Sequence, residues 1–430
     1  MEKNNFRKIA TITLFESAVQ WYCFLLYGTA AGTVFNKVFF SQTGNGTTAL
    51  ILSYMSFAIG YIAGPFGAIF FRHIGDRKGR KVTMYASLLM MGISTSIIGI
   101  LPPAASAGVG VVIVLQLMRL AQCFGRGGIL MAYENVPENK RSFYAAIPQI
   151  GLPIGFGLSS ILIAVPTLLL PEDIFFTWGW RIPFLAAIIL TLIVIRQKGE
   201  MMETEDYKKA QAKLEAEEAE GKKHKVGFIP MVKGYWKTLL LGCGTRWVDG
   251  TFYNIFIVWI LSYCINWLGM PLIQTYIITI IACIFKIPFT LFGGWCAQKL
   301  GNTRTFVIGA LASAVLSIPT LKVIELSKGN LAITIIGIVL GWSIAYNLIW
   351  AVISSLWSSY FETEVRYSGI SFVYHVPSFL VAGMVPTICT LLINYGKGDT
   401  IYVGIYSTVV ALISAACALA LKARHDRGEK

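Results

Sequence analysis

Charged residues are scarce in this chain of 430 residues, and their scarcity limits what the protein can be. Asp, Glu, Lys and Arg together make up 13% of the sequence, whereas hydrophobic residues make up 55%. A soluble domain needs about 25% charged residues to cover its surface. The chain has too little charge to face water on all sides, so we expect most of its outer surface to face lipid.

Paired cysteines and catalytic motifs are missing as well. The eight cysteines lie almost entirely within apolar runs and have no paired spacing, which is typical of small buried side chains. The sequence holds no glycine-rich phosphate loop, metal-ligand cluster or nucleophile triad that we can recognise. It therefore predicts no enzyme, no cofactor and no metal site.

Long apolar runs are what the chain has in abundance. A bilayer core is roughly 30 Å thick, so each helical crossing needs about 20 apolar residues. Twelve runs meet this need, at about 10–36, 49–71, 82–102, 107–133, 143–169, 179–196, 237–264, 272–297, 304–324, 331–359, 367–394 and 400–421. The sequence predicts an all-α membrane protein with twelve transmembrane helices.

The distribution of basic residues predicts how the chain is oriented. The net charge of +14 would suggest a nucleic-acid partner in a soluble protein, but here the basic residues sit in alternate short loops and at both ends. Basic loops stay on the cytoplasmic side. We therefore expect a multi-pass protein with both termini in the cytoplasm, whose partners are the lipid bilayer and a small molecule rather than nucleic acid.

One long polar segment divides the chain. Residues 197–233 are rich in Glu, Lys and Ala and are expected to form a partly helical cytoplasmic linker. The predicted domains are an N-terminal six-helix bundle (1–196), this linker, a C-terminal six-helix bundle (234–421) and a cytoplasmic tail (422–430). The loop at 75–81 has a weaker echo at 298–304, as expected of an internally repeated carrier that alternates access around a central site.

The loop at 72–81 carries a resemblance to a known family. It resembles the signature of the major facilitator superfamily, in which this loop latches helices in one access state. The resemblance implies a cytoplasmic gating loop formed by Gly75, Asp76, Arg77, Gly79, Arg80 and Lys81.

Further motifs narrow the resemblance. Segments 21–28, 119–125, 148–155, 178–185 and 365–369 are similar to the metabolite:proton symporter family, which includes osmolyte, shikimate, citrate and 2-oxoglutarate carriers of prokaryotes. The resemblance implies two pseudo-symmetric six-helix bundles in the cytoplasmic membrane of a prokaryote. It also implies proton-coupled transport of a carboxylate or zwitterion.

The chain departs from that family's pattern at membrane charges. The two carboxylates of the first helix are replaced by Gln20 and Cys23, the arginine of the second helix by Gly64, and the glutamate of the fourth by Ile129. A charge is costly to retain once its partner is lost, so these losses look coordinated. Proton symport is the expectation from the family, and an uncoupled uniporter or exchanger is the alternative.

Ionisable residues at membrane depth are candidates for function because they cost about 2.5–3.5 kcal/mol or more each. Arg119 is expected to bind an anion or tune a nearby acid, or else to be a structural charge held by carbonyls. Glu16 and Arg126 are predicted to pair. Arg246 and Asp249 are three residues apart and share a helix face, where Lys286 could neutralise Asp249.

Polar residues complete the candidate site. His375 could titrate near neutral pH. Uncharged polar side chains would either line a central cavity or join helices to one another: Gln20, Tyr27, Gln122, Gln149 and Asn254.

The function favoured by the sequence is secondary transport of a small organic solute by alternating access. The candidate cations outnumber the acids, which favours an anionic or zwitterionic substrate. We expect a monomer. A transporter-like membrane sensor is the alternative from another class, and it is less favoured because the only long polar segment is short.

Overall fold

The computed structural model describes residues 3–42, 45–78, 80–126, 148–202, 228–362 and 365–428, and this part of the chain is helical with no β-strand. We number the helices as follows: α1 Lys3–Thr33, α2 Gly46–Lys78, α3 Arg80–Ile100, α4 Val109–Arg126, α5 Gly151–Leu169, α6 Arg181–Met202, α7 Phe228–Asn254 continued by Ile260–Asn266, α8 Leu272–Leu300, α9 Asn302–Leu326, α10 Leu331–Ile338 continued by Asn347–Tyr360, α11 Arg366–His375 continued by Val385–Tyr395, and α12 Ile401–Asp426.

These helices form because each apolar run must satisfy its own backbone hydrogen bonds inside lipid. Eleven helices of the described residues are long and apolar enough to cross a membrane. Together with α1 they give the twelve-helix fold that the sequence predicts, and that prediction is confirmed. Twelve crossings bring the start of α1 and the end of α12 to one side, which we call the terminal face.

The packing of the helices repeats between the two halves. In the first half, α2 packs on α4 and α3 on α6; six helices later, α8 packs on α10 and α9 on α12. The halves meet where α2 contacts α11 and where α5 contacts α8. These two contacts are also related by a shift of six helices, so the interface has the pseudo-twofold symmetry expected of a repeated carrier.

Close contact between α1 and α5 depends on two glycines. A Cβ on Gly155 would lie 2.1 Å from the carbonyl oxygen of Ala18, and one on Gly151 would lie 2.2 Å from Ser17 Oγ. No side chain fits at such distances. The absence of side chains at Gly151 and Gly155 therefore permits the close approach of α1 and α5.

Three helices of the second half contain a wider π turn. The turns lie at Ile255–Trp259 in α7, Val339–Ala345 in α10 and Phe379–Gly383 in α11. A π turn leaves the regular α-helical hydrogen-bond ladder and often marks a functional site. All three of these helices also reach the interface between the halves.

Several sequence predictions fall wholly or partly outside the described residues. Of the predicted linker, residues 203–227 lie outside them; α6 ends at Met202 and α7 begins at Phe228. Ile129 and Gly79 also lie outside. The other gating-loop residues stand where α2 ends at Lys78 and α3 begins at Arg80, and only their backbone is described.

Candidate functional site

Aromatic side chains from both halves surround a small cavity between them. Its aromatic walls are Trp21, Tyr61, Tyr253, Trp350 and Tyr374, contributed by α1, α2, α7, α10 and α11. The ring of Trp21 lies 5.5 Å from that of Trp350 and 5.7 Å from that of Tyr253, measured between centroids. The cavity measures only ≈ 10 Å³, about the volume one water molecule needs.

Three charged side chains complete the lining, and two of them form a buried ion pair. Arg246 donates from Nη1 to Oδ2 of Asp249, and both side chains are less than 5% exposed. Their spacing of three residues places them on one face of α7, as predicted. The hydroxyl of Tyr346, on α10, donates to the other carboxylate oxygen.

The third charge, Arg126, reaches the cavity from the first half. Its guanidinium carbon lies 4.2 Å from the ring centre of Trp21 and 4.0 Å from that of Phe24. Its Nη2 donates to the hydroxyl of Tyr374 at 2.8 Å. The ring of that same tyrosine lies 4.6 Å from the guanidinium carbon of Arg246. One tyrosine therefore contacts an arginine from each half.

The cavity has hydrogen-bond donors to spare. Among the described residues, Nε of Arg246 and the hydroxyl of Tyr253 are buried without an acceptor. Two guanidiniums and one carboxylate line the cavity, which leaves one net positive charge. Unpaired donors in a low-dielectric site are costly, so this arrangement favours an acceptor with negative charge.

Contacts between the halves close the cavity towards both faces. Near the terminal face, Gln149 Nε2 donates to Ser354 Oγ at 2.8 Å, and the indole of Trp350 donates to the Gln149 carbonyl oxygen at 3.1 Å. Near the opposite face, Tyr54 donates to Ser262 at 2.6 Å. Among the described residues, the two halves are therefore in contact on both sides of the cavity.

A central polar site between two related six-helix halves is the arrangement of a carrier, and comparison with known proteins gives the family. Residues 23–382 match the Major Facilitator Superfamily. The chain belongs to this superfamily. It is a multi-pass membrane transporter of the superfamily and not an enzyme.

Relatives of this facilitator are metabolite and osmolyte transporters of bacteria. It is 32% identical to the Escherichia coli inner membrane metabolite transport protein YhjE, over 98% of this chain and 96% of that one. It is 30% identical to the Escherichia coli shikimate transporter, over 97% and 94% of the two chains. It is 26% identical to the Salmonella typhimurium proline/betaine transporter, over 99% and 85%.

Solved structures share the fold at low sequence identity. A crystal structure of a D-xylose-proton symporter superposes with a TM-score of 0.74 at 17% identity, covering 97% of each chain. A partially occluded, inward-open structure of the xylose transporter of E. coli gives 0.72 at 15% identity, again covering 97% of each chain. At this identity the likeness shows the facilitator fold alone.

Lys286 lies deep in the second half of this facilitator and is fully buried. Its Nζ donates to Oδ1 of Asn347 at 2.9 Å and lies 4.4 Å from the ring centre of Tyr346. Asp249, which the sequence suggested as the neutralising partner, instead pairs with Arg246. Tyr346 stands between them, because its hydroxyl bonds Asp249 while its ring face holds the ammonium.

Arg119 is fully buried within the first half and is absent from the cavity lining. It donates to Gln122 and to the carbonyl oxygens of Phe24 and Phe57 at 3.5 and 3.4 Å. Its guanidinium carbon also lies 4.4 Å from the ring centre of Tyr27. This environment fits the structural interpretation of Arg119, a charge held by carbonyls and ring faces.

The predicted pair of Glu16 with Arg126 is not among the ion pairs of these described side chains. Glu16 accepts from Gln20 at 3.4 Å, one turn further along α1. The guanidinium of Arg126 extends towards the cavity, where Trp21 and Tyr374 hold it. The aromatic walls therefore hold the guanidinium of Arg126 at the cavity.

The uncharged candidates are absent from the cavity lining and form hydrogen bonds within or between helices instead. Gln122 donates to the Cys23 carbonyl oxygen at 2.8 Å and to Thr95 at 2.7 Å, which ties helices of the first half together. Asn254 donates to its own helix at the Gly250 carbonyl oxygen. Gln149 alone of these three joins the two halves.

His375 is buried at the contact between α11 and α2. A Cβ on Gly64 would lie 2.7 Å from its Nδ1. The histidine therefore fills the space that the larger side chain of the resembled family would need at position 64. The departure from the family pattern at Gly64 and the position of His375 belong to one packing arrangement.

Most of the aromatic cavity wall was missed by sequence reasoning. Trp21 was noticed only within a motif, and Tyr61, Trp350 and Tyr374 were not proposed as lining. Aromatic residues inside a span face lipid, core or cavity equally well, so no local pattern separates these uses. These aromatic residues can be recognised as cavity lining only from the packing of the six helices around the cavity.

A larger depression of ≈ 450 Å³ opens on the opposite face, where helices of the second half end. Lys322 there donates to Glu325 at 3.0 Å and to Asp399 at 2.7 Å. The hydrogen bond from Lys322 holds the pKa of the Asp399 carboxyl below its usual value. Lys328 and Lys397 follow the ends of α9 and α11, where cations stabilise helix C-termini. We interpret the depression as a helix-capping cluster.

Proposed function

We propose that this facilitator is a symporter that moves a small organic carboxylate or zwitterion together with a proton. The observation that carries the proposal is that two guanidiniums, Arg126 and Arg246, line the cavity together with a single carboxylate. Arginine presents donors in a fixed fork that suits a carboxylate. The relatives named as shikimate and proline/betaine transporters take solutes that carry this group.

The aromatic walls supply the rest of the recognition. Flat rings offer apolar surface to the carbon skeleton of the solute, and their faces attract a cationic group if the solute has one. The cavity of ≈ 10 Å³ is too small for such a solute, so binding requires the halves to separate on one side. Alternating access would then break the hydrogen bond between Gln149 and Ser354 on one face, or the one between Tyr54 and Ser262 on the other.

The proposed setting is the cytoplasmic membrane of a prokaryote, with a monomeric carrier and both termini in the cytoplasm. The alternation of basic and nearly bare loops supports this orientation. Labelling of single cysteines placed in the loops at 101–107 and 298–304, with a membrane-impermeant maleimide on intact cells, tests it. Labelling of the 298–304 loop from outside would contradict the orientation.

An uncoupled uniporter or exchanger is the second candidate. The observation that favours it is the replacement of the first-helix carboxylates of the resembled family by Gln20 and Cys23. If the proton could be carried only by carboxylates at positions 20 and 23, this chain would have lost proton coupling.

Uptake into proteoliposomes decides between these candidates. The panel is shikimate, proline, glycine betaine, succinate and citrate, each measured with and without an imposed pH gradient. We expect one or more carboxylates to accumulate only with the gradient, and the neutral methyl ester of the best substrate not to compete. Uptake that ignores the gradient would favour the uniporter or exchanger, and an ester that competes equally would refute carboxylate recognition.

A further inference from the structure

Asp249 stands out among the acidic side chains of the described residues because it alone lines the central cavity. It lies on α7, in the second half, whereas the resembled family places its membrane carboxylates on the first helix, at positions now held by Gln20 and Cys23. A proton carrier needs access to the substrate pathway and a charge that the substrate can influence. Asp249 has both.

The surroundings of Asp249 supply it with hydrogen-bond partners and basic neighbours. Both of its oxygens are engaged, one by Arg246 and the other by Tyr346. Behind Tyr346, the ammonium of Lys286 lies 4.4 Å from the same ring. Arg246 therefore stabilises the carboxylate directly, and Lys286 lies across one ring from it, in a region where water cannot screen charges.

Several helices contribute titratable or charged groups around this pair. Among the described residues they are Arg246, Tyr253, Tyr346, Lys286, Cys283, Arg126, Tyr61, Tyr374 and His375. None of them is a second carboxylate. Asp249 is therefore the one carboxylate among these groups that could accept a proton when the substrate binds.

Arg246 connects Asp249 to the substrate. Its Nη1 is taken by Asp249, while its Nε is buried without an acceptor. A substrate carboxylate at that free edge would draw the guanidinium away from Asp249. Arg246 would then pair with the substrate instead of with Asp249. Asp249 would lose its salt bridge and would lie next to the new negative charge of the substrate.

We propose that Asp249 is the proton-coupling carboxylate of this carrier and that substrate binding at Arg246 triggers its protonation. This inference rests on the proposed function. An O–H bond forms on Asp249 as the substrate anion binds, and the proton comes from the side to which the cavity is open. On the other side the anion leaves, Arg246 pairs with Asp249 again, and the proton is released. One monoanion and one proton cross together, so the step carries no net charge.

The test compares wild-type protein with Asp249→Asn in proteoliposomes, first with radiolabelled shikimate and then with the other carboxylates of the panel. An electroneutral one-to-one symporter accumulates its substrate about tenfold for each unit of pH gradient. We expect Asp249→Asn to show no accumulation with the gradient but to retain counterflow exchange, because the amide still accepts from Arg246. Asp399→Asn is the matched control, and it should accumulate like the wild type.

Proton binding can be measured even in a variant that transports poorly. Adding the substrate to detergent-solubilised protein in weakly buffered solution should take up about one proton per bound anion in the wild type and none in Asp249→Asn. The assignment would be overturned if Asp249→Asn still accumulated substrate with the gradient. It would also be overturned if Asp249→Asn still took up protons while Glu16→Gln lost gradient-driven accumulation. If the wild type binds no carboxylate, the proposed function fails and this inference fails with it. If it binds carboxylates without taking up protons, the inference alone fails.

Discussion

Arg126 joins the two halves at the cavity through both its charge and its shape. Its guanidinium plane lies on Trp21 and Phe24 and donates to Tyr374. A lysine keeps the charge but not the planar fork. We predict that Arg126→Lys raises the KM for the carboxylate about 10- to 100-fold, since hydrogen bonds to charged groups contribute about 1.5–3 kcal/mol. Initial uptake rates over a range of substrate concentrations measure this.

Arg119 offers a matched control for that prediction. Like Arg126 it is an arginine of α4 packed against aromatic rings, but it is fully buried and does not line the cavity. Arg119→Lys should lower the thermal unfolding midpoint while leaving the KM near that of the wild type. If Arg119→Lys raised the KM more than Arg126→Lys did, the assignment of the two arginines would have to be exchanged.

Lys286 and Asn347 form a second residue-level test, this time of stability. Asn347 supplies the carbonyl oxygen that holds the buried ammonium at 2.9 Å. Asn347→Leu should destabilise the protein by about 1.5–3 kcal/mol because it leaves the charge without its acceptor. Adding Lys286→Met to that variant should restore part of the loss.

Thermal unfolding in detergent of both single variants and the double variant completes a double-mutant cycle. The two changes should not add, because each removes the same interaction. If the two changes in unfolding free energy were strictly additive, the contact between Lys286 and Asn347 would contribute nothing to stability.

At the scale of whole helices, the crossing of α1 and α5 depends on a missing side chain. A Cβ at Gly155 would lie 2.1 Å from one backbone oxygen and 2.7 Å from the amide nitrogen of Tyr22. Gly155→Ala should therefore force the helices apart and lower the yield and thermal midpoint of folded protein. Gly110→Ala is the matched control, because nothing lies within 4 Å of its Cβ position. That change should be neutral or slightly stabilising. Equal midpoints for the two variants would contradict the proposed importance of the contact.

The helices themselves were predictable from the sequence because lipid thickness sets the length of an apolar run. The π turns were not, since nothing in segments such as Val339–Ala345 departs from ordinary apolar composition. The same limit applies to sites. Arg246 and Asp249 were predictable because their contact is local, three residues along one helix. The partner of Arg126 was not, because Tyr374 is 248 positions away in sequence and resembles any other buried tyrosine.

For the molecule as a whole, the contact between α5 and α8 offers a way to lock the two halves. A Cβ at Gly157 would lie 3.5 Å from the Cβ of Cys283, which is within the range of disulfides. We predict that Gly157→Cys forms a disulfide with the native Cys283 on mild oxidation, and that transport then falls to background and returns on reduction. Intact-mass measurement after maleimide labelling of the denatured protein reports the bond.

The double variant Gly157→Cys with Cys283→Ser is the control, and oxidation should leave its transport unchanged. The other native cysteines are free in the described structure and remain in both variants, so they cancel in the comparison. An oxidised, cross-linked protein that transports at the wild-type rate would show that α5 and α8 stay together throughout the cycle.

The three π turns of the second half also bear on how two related halves can come to differ, since the described part of the first half has one, at Phe175–Gly179 before α6. A π turn inserts one residue into a helical turn, which rotates everything beyond it by about 100° around the helix axis. In α7, α10 and α11 the turns lie in the same helices as Asp249, Trp350 and Tyr374. A duplicated carrier can thus acquire a new inner surface in one half through single-residue insertions, while the lipid-facing length of each helix hardly changes. Descent by duplication need not produce two copies of the same binding surface.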